Sequence, residues 1–258
     1  MKTWEKTGCK VILLSYDNLA NYLRPKDYRL LMKNKHYYSP PQISDAVRVM
    51  VLDKHKSGIW MDCDTIVADD FKKIALISSG SELTMVAKHL AFLSVDNSKI
   101  IHAWYKSLVK KLDRRKRFSL VRRVYWKIKT IKYLLFRQTD GIERINNIIY
   151  ESPEWDYLGN SIINDLIDHA SAEEYRDLVA HMPYQSFLLE ARDKHQTPYD
   201  RYVNYYFHAR VKRVPKITAP FVYLHNSWTP DEYKKLSTKQ ILSDQRPLSR
   251  LLQSLQKP

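Results

Sequence analysis

The sequence predicts an α/β fold on three grounds. Short apolar runs rich in strand formers alternate with helical patterns, the segment between the later strand candidates is mostly helical in periodicity, and the 258 residues are enough to bury a full core. One domain spanning 1–258 is expected, with a basic helical region at 97–138 inside it. A hydrophobic content of 44% with 28% charged residues is ordinary for a folded chain. Five glycines argue against collagen-like repeats and a Gly-rich phosphate loop, and neither GxGxxG nor GxxxxGK occurs.

Taken in order, Val11–Tyr16 (VILLSY) reads as a strand, and the DNLANYL that follows reads as a helix capped by Asp17. After a loop at Ser39, Pro40 and Pro41, Ser44 is expected to cap a helix that Gly58 ends. A strand from Ile59 to Val67 (IWMDCDTIV) follows directly. Glu82–His89 and Ile217–Leu224 are further strand candidates. No apolar run is long enough to span a bilayer, and MKTWEKTGCK lacks the apolar centre of a signal peptide, so a cytoplasmic location is expected. Cys9 and Cys63 have no metal-ligand spacing and read as reduced thiols.

The net charge of +15 predicts attraction to a polyanion, an anionic membrane or a phosphorylated small molecule. From Lys106 to Arg137 the chain carries thirteen Lys or Arg and a single acid, Asp113, interleaved with apolar and aromatic residues. Such a pattern suits a helix lying on an anionic membrane surface, and equally a solvated helical face over core contacts. A cluster at Arg114, Arg115, Lys116 and Arg117 is the natural place to test the membrane expectation. No nucleic-acid-binding motif is present, so no specific nucleic acid is expected as a partner.

Two aspartates carry the chemistry. On a continuous strand Asp62 and Asp64 share one face, preorganised to grip a cation, and hard oxygen ligands suit Mn²⁺ or Mg²⁺. An Asp-x-Asp triplet alone is a weak signal, arising by chance roughly once in a chain or two of this length. The preceding helix strengthens it. At about 100° per residue, Ala46, Val47, Val49, Met50, Val51 and Leu52 spread around nearly the whole circumference, so the helix should be buried. Yet Asp45 and Arg48, three apart, share a face. A buried ion pair stabilises less than apolar packing would, which points to a task, although Asp45 also suits a helix N-terminus.

The run Ser44, Asp45, Ala46, Val47, Arg48, then Gly58, Ile59, Trp60, Met61, Asp62, Cys63, Asp64 resembles the DxD region of glycosyltransferases grouped with bacterial capsular polysaccharide enzymes, yeast mannosyltransferases and glucosylating clostridial toxins. Ser57-Gly58 stands where those proteins carry a double glycine. The resemblance implies a GT-A fold, a Rossmann-like mixed sheet that binds nucleotide-diphosphate sugars. It places Asp45 and Arg48 at the donor sugar, Asp62 at ribose or sugar hydroxyls and metal, and Asp64 directly on the divalent ion. YLHNSWTPDEY is similar to the family's late His/Ser/Trp segment, which implies His225 as a third metal ligand, Ser227 as a ligand or phosphate donor, and Trp228 as a lid or indole donor to the diphosphate.

Asn160, beside Gly159, is a candidate for the amide that contacts the donor sugar in retaining enzymes of this kind, and otherwise a helix-capping residue. Trp155, Asp156 and Tyr157 suit either an acceptor wall or core packing. The resembling proteins begin with another strand that holds the base, and this chain is expected to start after it. The function implied is metal-dependent transfer of a sugar, with retention, from a UDP-sugar in preference to a GDP-sugar. The acceptor would be a lipid-linked oligosaccharide of a surface or capsular glycan at the inner membrane face. The rival readings are a non-catalytic sugar-nucleotide or polyanion binding protein, a nucleic-acid protein, and a metal-dependent phosphatase or nuclease.

Overall fold

The computed structural model describes residues 2–5, 8–67, 80–86, 89–114, 128, 131, 156–168, 178–181, 197–208, 221–224 and 228–254. It is mixed α/β. In chain order the elements are α1 (Lys2–Glu5), α2 (Leu19–Tyr22), α3 (Pro25–Asn34), α4 (Pro40–His55), β1 (Ser57–Met61), β2 (Thr65–Val67), β3 (Leu83–Val86), β4 (His89–Asp96) and α5 (Lys99–Arg114). They continue with α6 (Asn160–Asp168), β5 (Val179–His181), α7 (Pro198–Val203) running into a π-helical turn at Asn204–His208, β6 (Phe221–Tyr223), α8 (Asp231–Lys234), α9 (Thr238–Ser243) and α10 (Pro247–Ser254). The chain divides into two compact units, one of residues 14–60 and 80–180, the other of residues 1–13, 61–79 and 181–258.

The first unit is built on a four-stranded sheet in the order β1-β4-β3-β5. β3 and β4 pair antiparallel with Leu83 opposite Val95 and Met85 opposite Leu93, and the register shifts after Met85. The single strand expected over Glu82–His89 is therefore two. Leu83, Thr84 and Met85 are buried, as are Leu90, Ala91, Phe92 and Leu93. Strands covered on both faces lose the alternation that would reveal where one ends. The core gathers Ala46, Val49 and Met50 of α4, Trp104, Leu108 and Leu112 of α5, Leu31 of α3 and Ile163 of α6 around this sheet. The expected burial of α4 is present along most of its length.

The ends of α4 differ from expectation. Ser44 lies inside the helix, which begins instead at Ser39, whose backbone N–H donates to Gln42 Oε1 at 2.9 Å. Pro40 and Pro41 occupy the first helical positions, where a missing N–H costs nothing and the fixed φ is already helical. The helix stops at His55 because Lys56 adopts φ +67°, with its N–H returned to Leu52 O; Gly58 lies beyond, within β1. Asp17 caps nothing, for Asn18 is the residue before α2. Val11–Tyr16 belongs to neither sheet. Ile12, Leu13 and Tyr16 are exposed and only Leu14 of this group packs on the core. Strand propensity cannot hold an extended segment that no ladder takes up.

A polar clasp, unforeseen in the sequence, joins α3, α4 and α5. Asp53 is 2% exposed, takes Arg24 Nη1 at 2.8 Å and His102 Nδ1 at 2.8 Å, and receives Lys56 Nζ at 3.3 Å. Burial pushes the Asp53 carboxyl up, but the bonds from His102, Arg24 and Lys56 outweigh it and hold the group below the usual carboxylate range. Tyr105 donates to Asp27 Oδ1 at 2.7 Å, and burial followed by that bond to an anion raises the phenol to about 12.

The second unit pairs β2 with β6 antiparallel, Thr65 opposite Tyr223 and Val67 opposite Phe221. Ile217–Leu224 was expected as one strand; β6 covers Phe221–Tyr223, and 217–220 lie outside the described residues. Trp4 donates its indole N–H to Thr65 O at 2.8 Å, tying α1 to β2. The core here is aromatic: Tyr202, Tyr206, Phe207 and Tyr233 pack with Ile66, Val222, Leu248 and Leu251. Cys9 and Cys63 are free thiols. Among the described residues no helix is long and apolar enough to cross a membrane.

Candidate functional site

The predicted site residues fall into two groups, one in each unit. In the first unit Asp45 and Arg48 sit one turn apart on α4, and Asp45 Oδ1 lies 3.2 Å from Arg48 Nη2. The pair is enclosed: Arg48 is 4% exposed and the Asp45 side chain 13%. Arg48 Nη1 donates to Leu90 O on β4, and its guanidinium lies 5.5 Å from the centroid of the Trp60 ring on β1. The planar cation is thus held by a carboxylate, a carbonyl and an aromatic face, an arrangement that suits arginine and not lysine.

Gly159 closes this arrangement from the other side. A Cβ at position 159 would meet Asp45 Oδ2, with Asp45 Cγ at 2.8 Å and Leu90 Cδ1 at 2.9 Å, so any side chain there would force Asp45 and Leu90 to shift. The next residue, Asn160, opens α6 and carries a buried Oδ1 with no hydrogen-bond partner among the described residues. An unsatisfied buried acceptor costs about 1–3 kcal/mol. The structure therefore brings Gly159, the neighbour of Asn160, against the Asp45–Arg48 pair from a distant part of the chain. Sequence reasoning missed Trp60 and the role of Gly159; a glycine just before a helix start, rather than after a helix end, was the signal available.

Tyr157 is engaged by Lys111 of α5, whose Nζ donates to Tyr157 O at 2.9 Å and to Ser161 Oγ at 3.1 Å and lies 4.4 Å from the Tyr157 ring centroid. Trp155 lies outside the described residues.

In the second unit the placement of Asp62 and Asp64 corrects the expected strand. Ile59–Val67 is broken: β1 ends at Met61, β2 starts at Thr65, and 62–64 form a turn closed by Thr65 N–H donating to Asp62 O at 3.0 Å. Asp is a poor strand former and favours turns, and two of them within three residues outweighed the apolar flanks. Both aspartates are half-buried and Cys63 between them is exposed. Partial desolvation, then the charges of Asp62 and Asp64, push the Cys63 thiol up, so both carboxylates act on this one turn.

Leu224 N–H donates to Asp64 O at 3.1 Å, extending the β2–β6 ladder by one bond. The chain passes from Leu224 directly into His225, Asn226 and Ser227, which lie outside the described residues, as do the roles expected of His225 and Ser227. Trp228 is half-buried, its ring 5.8 Å from Tyr202 and 6.1 Å from Tyr199, both edge-to-face. Among the described residues no group of three or more His, Cys, Asp or Glu converges as a metal site.

A family model described as capsular polysaccharide synthesis protein matches residues 1–139, a span that holds Asp45, Arg48, Asp62 and Asp64. No curated protein and no solved structure matches the chain.

Proposed function

We propose, on the premise that this chain belongs to the capsular polysaccharide synthesis protein family, that it is a GT-A glycosyltransferase acting in capsule assembly. It moves a sugar from a nucleotide diphosphate, UDP in preference to GDP, to a growing glycan carried on a lipid at the inner membrane face. The observation that carries this reading is the packing of Gly159 on Asp45, which sets the orphaned acceptor of Asn160 beside a buried ion pair. Fixed polar groups of this kind suit a ligand covered in hydroxyls.

Within this reading Arg48 fixes the Asp45 carboxylate, which accepts from a sugar hydroxyl, while Asn160 Oδ1 accepts from a second. Arg48 adds a positive charge that does not move as the bond to the leaving group lengthens. Asp62 and Asp64 would hold Mn²⁺ or Mg²⁺, with His225 as third ligand: the two carboxylates are hard oxygen donors, and a half-exposed turn leaves positions open for phosphate. When bound, the ion supplies the Lewis acidity that makes a diphosphate a competent leaving group. Ser227 and Trp228 would cover the diphosphate. Retention of configuration comes with the family likeness.

The test is a donor screen on the full chain with Mn²⁺ or Mg²⁺ and a panel of UDP- and GDP-sugars, reading thermal shift and donor hydrolysis. One donor should raise the melting temperature and be slowly hydrolysed, and Asp64→Asn should abolish the metal-dependent part. A panel in which no sugar nucleotide stabilises or is turned over would refute the proposal. Stabilisation without turnover would favour a non-catalytic sugar-nucleotide binding protein.

A further inference from the structure

On the α3–α5 side of the first unit the acids have been drawn inward. Asp27, the one acid of α3, is 2% exposed and bound by Tyr105; Asp53 is equally enclosed by His102, Arg24 and Lys56. Among the described side chains of the two helices, what remains outside is positive. The exposed residues of α3 are Pro25, Lys26, Arg29 and Lys33, the three cations falling at i, i+3 and i+7 on one stripe. On α5 the exposed residues, among those whose side chains are described, are Lys99, Lys106 and Lys110, again on one stripe. Among the described residues the one ion pair of these cations is that of Lys99 with Glu82, at 4.0 Å.

The two stripes meet at Tyr105. Lys26 Nζ lies 5.9 Å and the Arg24 guanidinium 5.1 Å from its ring centroid, His102 stacks on the same ring at 6.3 Å, and Lys106 is the next residue. Past the C-terminal end of α3, Tyr16 is 55% exposed with Lys35 Nζ 5.1 Å from its ring centroid. We propose that this α3–α5 face docks the protein on the surface of an anionic phospholipid bilayer.

Flexible lysines on two neighbouring helices suit a sheet of phosphates free to move laterally under them. An exposed tyrosine flanked by lysine suits the headgroup layer, where an amphipathic ring is half wetted. The α3 residues lie outside the segment that the sequence singled out for membrane contact. The inference rests on the charge of this face and not on the transfer reaction, so its test contains no sugar nucleotide.

The test is co-sedimentation of the full chain with phosphatidylglycerol–phosphatidylcholine vesicles and with pure phosphatidylcholine vesicles. Binding should require the anionic lipid and weaken with salt. The combined substitution Lys26→Glu, Arg29→Glu, Lys33→Glu should lower the affinity at least about tenfold, because each cation near such a surface is worth roughly fivefold. Lys106→Glu with Lys110→Glu should act in the same direction, which keeps the test valid if the α3 variant melts early. Lys234→Glu, Lys235→Glu, Lys239→Glu makes the same change in net charge in the other unit and should leave most of the affinity. Equal losses in this control and the α3 variant would overturn the assignment. So would absence of vesicle binding, or tighter binding of duplex DNA, RNA or an acidic polysaccharide to this same face.

Discussion

The two acidic groups singled out by the sequence, one in each unit, are made in opposite ways. Asp45 is carried on a buried helix, paired with Arg48, backed by Trp60 and walled by Gly159. Asp62 and Asp64 stand in a three-residue turn, half-exposed, and raise the thiol between them. The first arrangement spends its charge internally and leaves directed hydrogen-bonding groups, which is what orienting a neutral, hydroxyl-rich ligand requires. The second keeps two carboxylates half-buried on one turn, which is useful where the ligand brings positive charge of its own.

This contrast breaks most visibly at Arg48. Arg48→Ala should cost about 3–5 kcal/mol in urea unfolding, since it removes a buried cation paired with Asp45 and the donor to Leu90. A loss below about 1 kcal/mol would mean that the pair is wetter than its burial implies. Gly159→Ala should come next, at about 1–3 kcal/mol, because Asp45 and Leu90 must both yield to the new methyl group. A Gly159→Ala, Asp45→Ala double variant should recover part of that loss if the clash is the cause.

The clasp of α3, α4 and α5 gives the pH behaviour. The Asp53 carboxyl is lowered in the fold, so its contribution is present above about pH 4, the unfolded value, and is lost as pH falls through the folded one. Melting temperatures should therefore drop on the acid side, and Asp53→Asn should flatten that limb. For Tyr105 the sign reverses: with the phenol raised to about 12, its contribution is present below pH 10 and disappears between there and about 12. Tyr105→Phe should flatten the alkaline limb at a cost of about 1 kcal/mol.

The smallest effect on stability is expected at the open turn. Asp64→Asn should change unfolding by no more than about 0.5 kcal/mol while removing any response of the melting temperature to Mn²⁺. A large destabilisation there would make the turn structural and erase the difference from α4.

What could be read in the sequence follows the same division. Asp45 and Arg48 were legible because both lie on one long helix whose apolar pattern fixes which side chains share a face. The burial of α4 was legible for that reason, although its start was placed late because two prolines after Ser39 look like a loop and act as a helix start. The turn at Asp62–Asp64 was misread as strand because apolar residues on both sides conceal a three-residue break. Asp27, Asp53 and His102 carried no local sign of their meeting, since the contacts join separate helices. Val11–Tyr16 was misassigned for a related reason: its composition states a preference, and pairing decides whether the preference is realised.

The bond from Leu224 to Asp64 has a consequence for the order of assembly. It joins parts of the chain made early and late in synthesis, whereas Asp45 and Arg48 are neighbours on a helix that can wind as soon as it is made. A polypeptide interrupted before Leu224 would keep the helical ion pair yet leave the acidic turn without its bond to the late strand, so premature termination should disable the two halves one after the other.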